Sequence, residues 1–218
     1  MTNLKLDAPW LEFDLGQPMQ ALSWSINRPG FVQTSQILWR EVSNADLPQG
    51  MDVRHWLAKE LEHRNRKDAV VLLTSRYIER LETRTASAGD VQAQAVATVG
   101  LSNGERIGSR VDYAGRDWGT INVAVRLTAS LSSAGLLEAM SIAVQARTAA
   151  VMDTQFELPT GIATGTGTDC VAIAAPAGST DFAGLHTDIG ETVGRAVYDA
   201  VFAGATAWKM ERKETSYA

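Results

Sequence analysis

The sequence predicts an α+β fold, one mixed β-sheet covered by helices in a single domain spanning 1–218, and three observations carry that expectation. Strand-like runs dominate the first half of the chain, while three substantial helical patterns are spread through its length. The 218 residues, 45% hydrophobic and 21% charged, suit one globular domain rather than a disordered or fibrous chain. No Pro/Gly/Ser-rich linker or internal repeat divides it.

Taken in order, Leu11-Glu12-Phe13-Asp14-Leu15 alternates cleanly, and Ala21–Ile26 and Ile37–Val42 are further short strands. Asn27-Arg28-Pro29-Gly30 is a turn between the last two. A helix fits Asp52 to about Asn65, because Val53, Trp56, Leu57 and Leu61 fall on one face of a 3.6-residue period. Ala69–Thr74 is a short apolar run of the kind covered on both faces. Val91–Leu101 reads as a long strand ending at Ser102-Asn103-Gly104, and Ile121–Leu127 alternates again. The Gly-rich stretch Asp112–Thr120 is expected to join these two as a hairpin loop. Ser132 and Ser133 can cap a helix running to about Met152, and Cys170–Ala175 is an apolar strand. The last helix is expected to start at Asp188, with Glu191 completing a capping box, and to end at Gly204.

The net charge is −5, and its distribution excludes a nucleic-acid surface in the C-terminal half. Val151–Trp208 carries seven acids against one base, Arg195, whereas phosphate binding needs clustered Lys and Arg. The single cysteine, Cys170, rules out an intrachain disulfide and a thiolate zinc cluster. No window has the roughly 18 uncharged apolar residues of a membrane span. The opening Met1-Thr2-Asn3-Leu4-Lys5 lacks the order of a signal peptide, so a cytoplasmic location is expected.

Three segments could carry chemistry. Thr160-Gly161-Ile162-Ala163-Thr164-Gly165-Thr166-Gly167-Thr168-Asp169 alternates Gly and Thr, which can cradle an oxyanion or simply reverse the chain. It lacks the lysine of a phosphate loop and the third glycine of a dinucleotide fingerprint. His186, just before a helix start, has the setting of a neutral general base or of a surface histidine. Asn103, at a strand end, and Asn122, on the polar face of another strand, can orient an amide through paired donor and acceptor. Cys170 opens an apolar strand and reads as a buried, inert thiol. No histidine pair has metal-ligand spacing, so no metal site is expected.

The blocks Thr164-Gly165-Thr166-Gly167-Thr168-Asp169 and Ala183-Gly184-Leu185-His186-Thr187-Asp188-Ile189-Gly190-Glu191 resemble the adenosylcobinamide amidohydrolases. Val99-Gly100-Leu101-Ser102-Asn103, Gly119-Thr120-Ile121-Asn122 and Gly194-Arg195-Ala196-Val197-Tyr198 fit the same family in order, over roughly Ile37 to Val201. The resemblance implies hydrolysis of the amide joining the aminopropanol arm to the corrin ring of adenosylcobinamide. Adenosylcobyric acid would be released for cobalamin salvage. Whole cobamides such as adenosylpseudocobalamin are a possible further substrate. It also implies a corrinoid substrate carrying its own cobalt, hence no protein cofactor; no nucleic-acid or membrane partner is expected from the charge and hydropathy above. A homo-oligomer is possible. The acidic C-terminal half is compatible with a cationic corrinoid.

On this reading His186 is the expected general base, acting on water or on the Thr168 hydroxyl, with Asp169 or Glu191 orienting the imidazole. The N–H groups of Gly165, Thr166 and Gly167 would hold the oxyanion, and Asn103, Asn122 and Thr166 the ring's amide edges. A non-catalytic corrinoid-binding module is the alternative, and a purely structural α+β domain the blandest one.

Overall fold

The computed structural model describes residues 3–110 and 119–216. Strands β1 (Leu4–Asp7), β2 (Trp10–Ser23) and β3 (Gly30–Glu41) lead into helix α1 (Val53–His63) and β4 (Val70–Thr74). A single 3₁₀ turn precedes β5 (Glu82–Ala88), β6 (Val91–Val99) and the two-residue β7 (Gly104–Glu105). Then come β8 (Ile121–Leu127), α2 (Ser133–Asp153), the short β9 (Glu157–Leu158), β10 (Gly161–Ile162) and β11 (Gly165–Thr166), β12 (Cys170–Ala175) and α3 (Asp188–Ser216).

Eight strands form one sheet in the order β4-β3-β2-β12-β8-β6-β5, with β1 added to β2. The sheet is mixed, since β3–β4 and β12–β8 are parallel and the other pairs antiparallel. This is the α+β class that the sequence predicts. The two expected strands Leu11–Leu15 and Ala21–Ile26 are one strand, β2, broken in register between Asp14 and Met19. Its first half pairs with β1 and its second half with β12. Such an irregularity bends a strand and increases its local twist. The sheet curls until β4, four positions from β8 in strand order, touches it: Asn122 Nδ2 donates to the Leu73 carbonyl at 2.5 Å.

Helices α2 and α3 cover the convex face. Residues 121, 123, 125 and 127 of β8 and 171, 173 and 175 of β12 point into that layer, against Leu136, Ala139, Val193 and Val197. Ala124, Ala172 and Ala174, on the alternate positions, face a second core with Phe13, Ile37, Trp39 and Leu72 inside the curl. The small side chains on the central strands make room for the larger ones opposite. Helix α1, capped by Asp52, lays Leu57 and Leu61 on the outer face of β3 and β4. This covers both faces of β4, as its continuous apolar run requires.

Several boundaries differ from expectation: β3 starts at Gly30, not Ile37, to pair with the second half of β2, and both ends of α3 move. Helix α3 does not stop at Gly204, because that glycine meets β6: a Cβ there would lie 2.9 Å from Val99 Cγ2. Its cap is Thr187, not Asp188, since Thr187 Oγ1 accepts the Gly190 N–H at 3.0 Å. Strand β5 escapes the pattern because Glu82-Thr83-Arg84-Thr85 is a polar edge strand. Of the loop expected over Asp112–Thr120, only Gly119 and Thr120 lie within the described residues. Among the described residues no helix is long and apolar enough to cross a membrane.

Candidate active site

The curl leaves a cleft of about 590 Å³ between β4 on one side and the first residues of β8 and β12 on the other. Asn122, Thr168, Asp169 and Cys170 line one wall, Leu73 the other, and Trp24 and Arg54 also border it. Both walls are apolar over much of their length, so the few polar groups stand out as those that can orient a ligand.

A buried ion pair fastens the wall together. Asp169 accepts from Arg147 of α2, from the N–H and hydroxyl of Thr166, and from the Ile121 N–H at 3.1 Å. Arg147 also donates to the Thr164 carbonyl at 3.2 Å. Burial raises the Asp169 carboxyl above its ordinary range, while Arg147 and the Thr166 and Ile121 donors pull against it. Gly165 is required here for space, because any Cβ would overlap both Arg147 Nη1 and the Asp169 carboxylate.

The neighbouring loop residues interlock in the same way. Asn103 is buried, takes the Gly119 N–H on Oδ1 at 3.1 Å and donates Nδ2 to Thr168 Oγ1 at 3.3 Å. The Thr168 hydroxyl donates to the Gly119 carbonyl at 2.8 Å, and Thr120 donates to the Thr168 carbonyl at 2.9 Å. Asn122 is different. Its Nδ2 is held by the Leu73 carbonyl, which fixes the orientation of the amide, yet its Oδ1 is buried and has no hydrogen-bond partner among the described residues. An unmatched buried acceptor costs about 1–3 kcal/mol until a donor arrives.

The structure therefore brings Asn103, Asn122, Gly165, Thr166, Gly167, Thr168 and Asp169 together, as the sequence leads one to expect, though with altered roles. The Thr166 N–H goes to Asp169 and the Gly167 N–H to the Asn103 carbonyl, so neither is free for an oxyanion. Asp169 orients Arg147 and the Thr166 loop, not an imidazole.

His186 and Glu191 are not brought to this cleft. Strand β12 leaves it at Cys170 and carries the chain along about 17 Å of strand to the opposite end of the sheet. There the start of α3 packs on the β5–β6 turn, where Asp188 meets Gly89. His186 is solvent-exposed at that end, and Glu191 pairs with Arg195 at 3.1 Å. The block around His186 has a local explanation: Thr187 caps the helix, and Gly190 lies against the Gly184 carbonyl, where no Cβ fits.

Cys170 opens β12 as expected. Its thiol is pushed up to about 12, chiefly by burial and then by the neighbouring Asp169 charge. A thiol is reactive only as thiolate, so raising the value from 9.0 to about 12 should slow alkylation of the native protein near pH 8 by about 10³-fold against the unfolded chain. The native rate should still be rising about tenfold per pH unit at pH 10, where that of the unfolded chain has begun to level off. Timed iodoacetamide labelling checks this, and equal rates for folded and unfolded protein would contradict it.

Two participants escaped the sequence reading. Arg147 carried a signal, as the one Lys or Arg in the 21 residues of α2. Trp24, half-exposed with Nε1 donating to the Asp169 carbonyl at 2.7 Å, carried none.

Among solved structures, the chain is similar to the PH0078 protein from Pyrococcus horikoshii OT3, at 12% identity and a TM-score of 0.48, over 89% of this chain and 76% of that one. It is also similar to a Burkholderia sp. beta-aminopeptidase, at 13% identity and a TM-score of 0.47, over 93% and 82% of the two chains. No curated protein matches. The family model described as adenosylcobinamide amidohydrolase matches residues 2–213, nearly the whole chain. The family blocks met in the sequence thus sit within a match that runs almost end to end, and the chain belongs to the adenosylcobinamide amidohydrolase family of enzymes.

Proposed function

We propose that the cleft receives the aminopropanol arm of adenosylcobinamide and hydrolyses the amide joining it to the corrin ring. Water adds to the amide carbon, the C–N bond breaks, and the nitrogen leaves protonated as the amino-alcohol, with adenosylcobyric acid as the other product. The observation that carries this reading is the unpartnered Asn122 Oδ1 at the cleft, an acceptor matched to an amide N–H. Thr168 Oγ1 lies on the same wall as the hydroxyl against which the attacking water would sit, its own proton directed to the Gly119 carbonyl. The cobalt arrives with the substrate.

Purified protein should convert adenosylcobinamide to adenosylcobyric acid without nucleotide or reductant, as read by chromatography; intact substrate after incubation with folded protein would refute the proposal. In the same assay His186→Ala should stay within about threefold of the parent, since nothing places this side chain near the cleft of its own chain. A loss near 10²-fold, the scale of a removed general base, would instead mean that a second copy supplies the imidazole.

A further inference from the structure

We infer that Arg54 is the contact for an anionic group on the substrate's arm, so that the cleft favours a corrinoid whose arm hydroxyl is esterified with phosphate over one whose arm ends in a free alcohol. The inference rests on the reading that the arm enters this cleft. Arg54, on the first turn of α1, borders the cleft and is anchored there by Nη1, which donates to the Ile26 carbonyl at 2.7 Å. Among the described residues no carboxylate lies within ion-pair distance of its guanidinium; Arg28, Arg106 and Arg126 share that condition, but of these arginines Arg54 is the one that lines the cleft.

Acids close to Arg54 in sequence are engaged elsewhere. Asp52 uses Oδ1 to cap the helix through the His55 N–H. Asp46 is held by Ser43 and faces Arg40. Asp169, the other charged side chain among the described residues that line the cleft, is paired with Arg147. Among the described residues the lining thus carries one positive charge without a carboxylate partner. Set against a cationic corrinoid with a neutral arm, that charge is repulsive. Set against a phosphate ester, it becomes a charge-assisted hydrogen bond from a forked donor suited to phosphate oxygens. The ester oxygen lies two carbons from the scissile amide nitrogen, so an arm bound at Asn122 keeps its phosphate within the same cleft.

Three probes separate the sources of the anion: adenosylcobinamide with a free alcohol, adenosylcobinamide phosphate with a monoester, and adenosylpseudocobalamin with a diester and its nucleotide. Binding to the full chain is read by equilibrium dialysis, using the colour of the corrinoid, alongside turnover. Both phosphate-bearing probes should bind at least about tenfold more tightly than the free alcohol at low salt, and the preference should shrink as salt rises. Arg54→Gln should abolish that ratio and Arg54→Lys should retain part of it. A ratio unchanged in Arg54→Gln, or a parent protein without preference, would overturn the inference. A preference confined to adenosylpseudocobalamin would also overturn it, by placing recognition on the nucleotide. Arg54-dependent binding without hydrolysis of any probe would uphold it while refuting the proposed reaction.

Discussion

Replacing Arg147 by methionine is expected to lower the folding free energy by about 3–5 kcal/mol, the cost of leaving one member of a buried ion pair unmatched. Arg147 and Asp169 have side-chain exposures of 13% and 7%, so solvent screens their attraction little and could not rescue the stranded carboxylate. Removing the guanidinium also takes away the group that most opposes protonation of Asp169, whose carboxyl burial already raises. The variant should therefore be more stable in mild acid than at neutral pH, the reverse of a protein held by ionised carboxylates. The sign follows from the carboxyl's raised value: the folded variant binds the proton more readily than the unfolded chain does, so stability falls as pH rises through that window. Denaturant midpoints at pH 5 and pH 8 measure both effects. The double variant Arg147→Met with Asp169→Asn should recover a substantial part of the loss, because no buried charge remains. Equal damage in the single and double variants would show that the pair does not act as one unit.

The second large effect is expected at Asn122. Its Nδ2 serves the structure through Leu73, while its Oδ1 has no hydrogen-bond partner among the described residues. Asn122→Ala should lower kcat/KM by about 10²-fold, the scale of losing the group that orients a reacting amide. The accompanying stability cost should be only about 1–3 kcal/mol, for the carbonyl of Leu73 left without its donor. Parallel chromatographic assays and thermal melts separate the two quantities. A variant that melts early but turns over normally per folded molecule would make Asn122 a strut between β4 and β8 and nothing more.

How much of this was legible in the sequence depends on how local the deciding interaction is. Strands β8 and β12 were readable residue by residue because their alternation and apolar runs are self-contained. The cap at Ser132 was readable for the same reason, since a cap is settled within three residues. Gly204 misled because its meaning lies across the layer in Val99, not in the helix that contains it. The Thr164–Asp169 loop was recognisable as unusual, but its roles were not. Whether the Thr166 and Gly167 N–H groups face a ligand or a neighbour is decided by Asn103 and Asp169, and no pattern of spacing reports that. His186 illustrates the opposite case, a chemically suggestive residue in a block whose local geometry is accounted for by a helix cap and a glycine contact. Arg147 was visible as an anomaly without an explanation.

The break in β2 between Asp14 and Met19 has a consequence at a distance. Because both walls of the cleft belong to one continuous sheet, whether β4 comes close enough for Leu73 to meet Asn122 is set by curvature, and the curvature is set in part by this irregular segment. Gly16 lies within it at φ +80°, a backbone conformation that favours glycine, and the Arg126 guanidinium of β8 lies 3.6 Å from where its Cβ would be. A family member with a longer or shorter break could widen or narrow the aperture without changing a residue that touches the substrate. Substrate range in such enzymes would then be written partly in a strand that never meets the corrin ring.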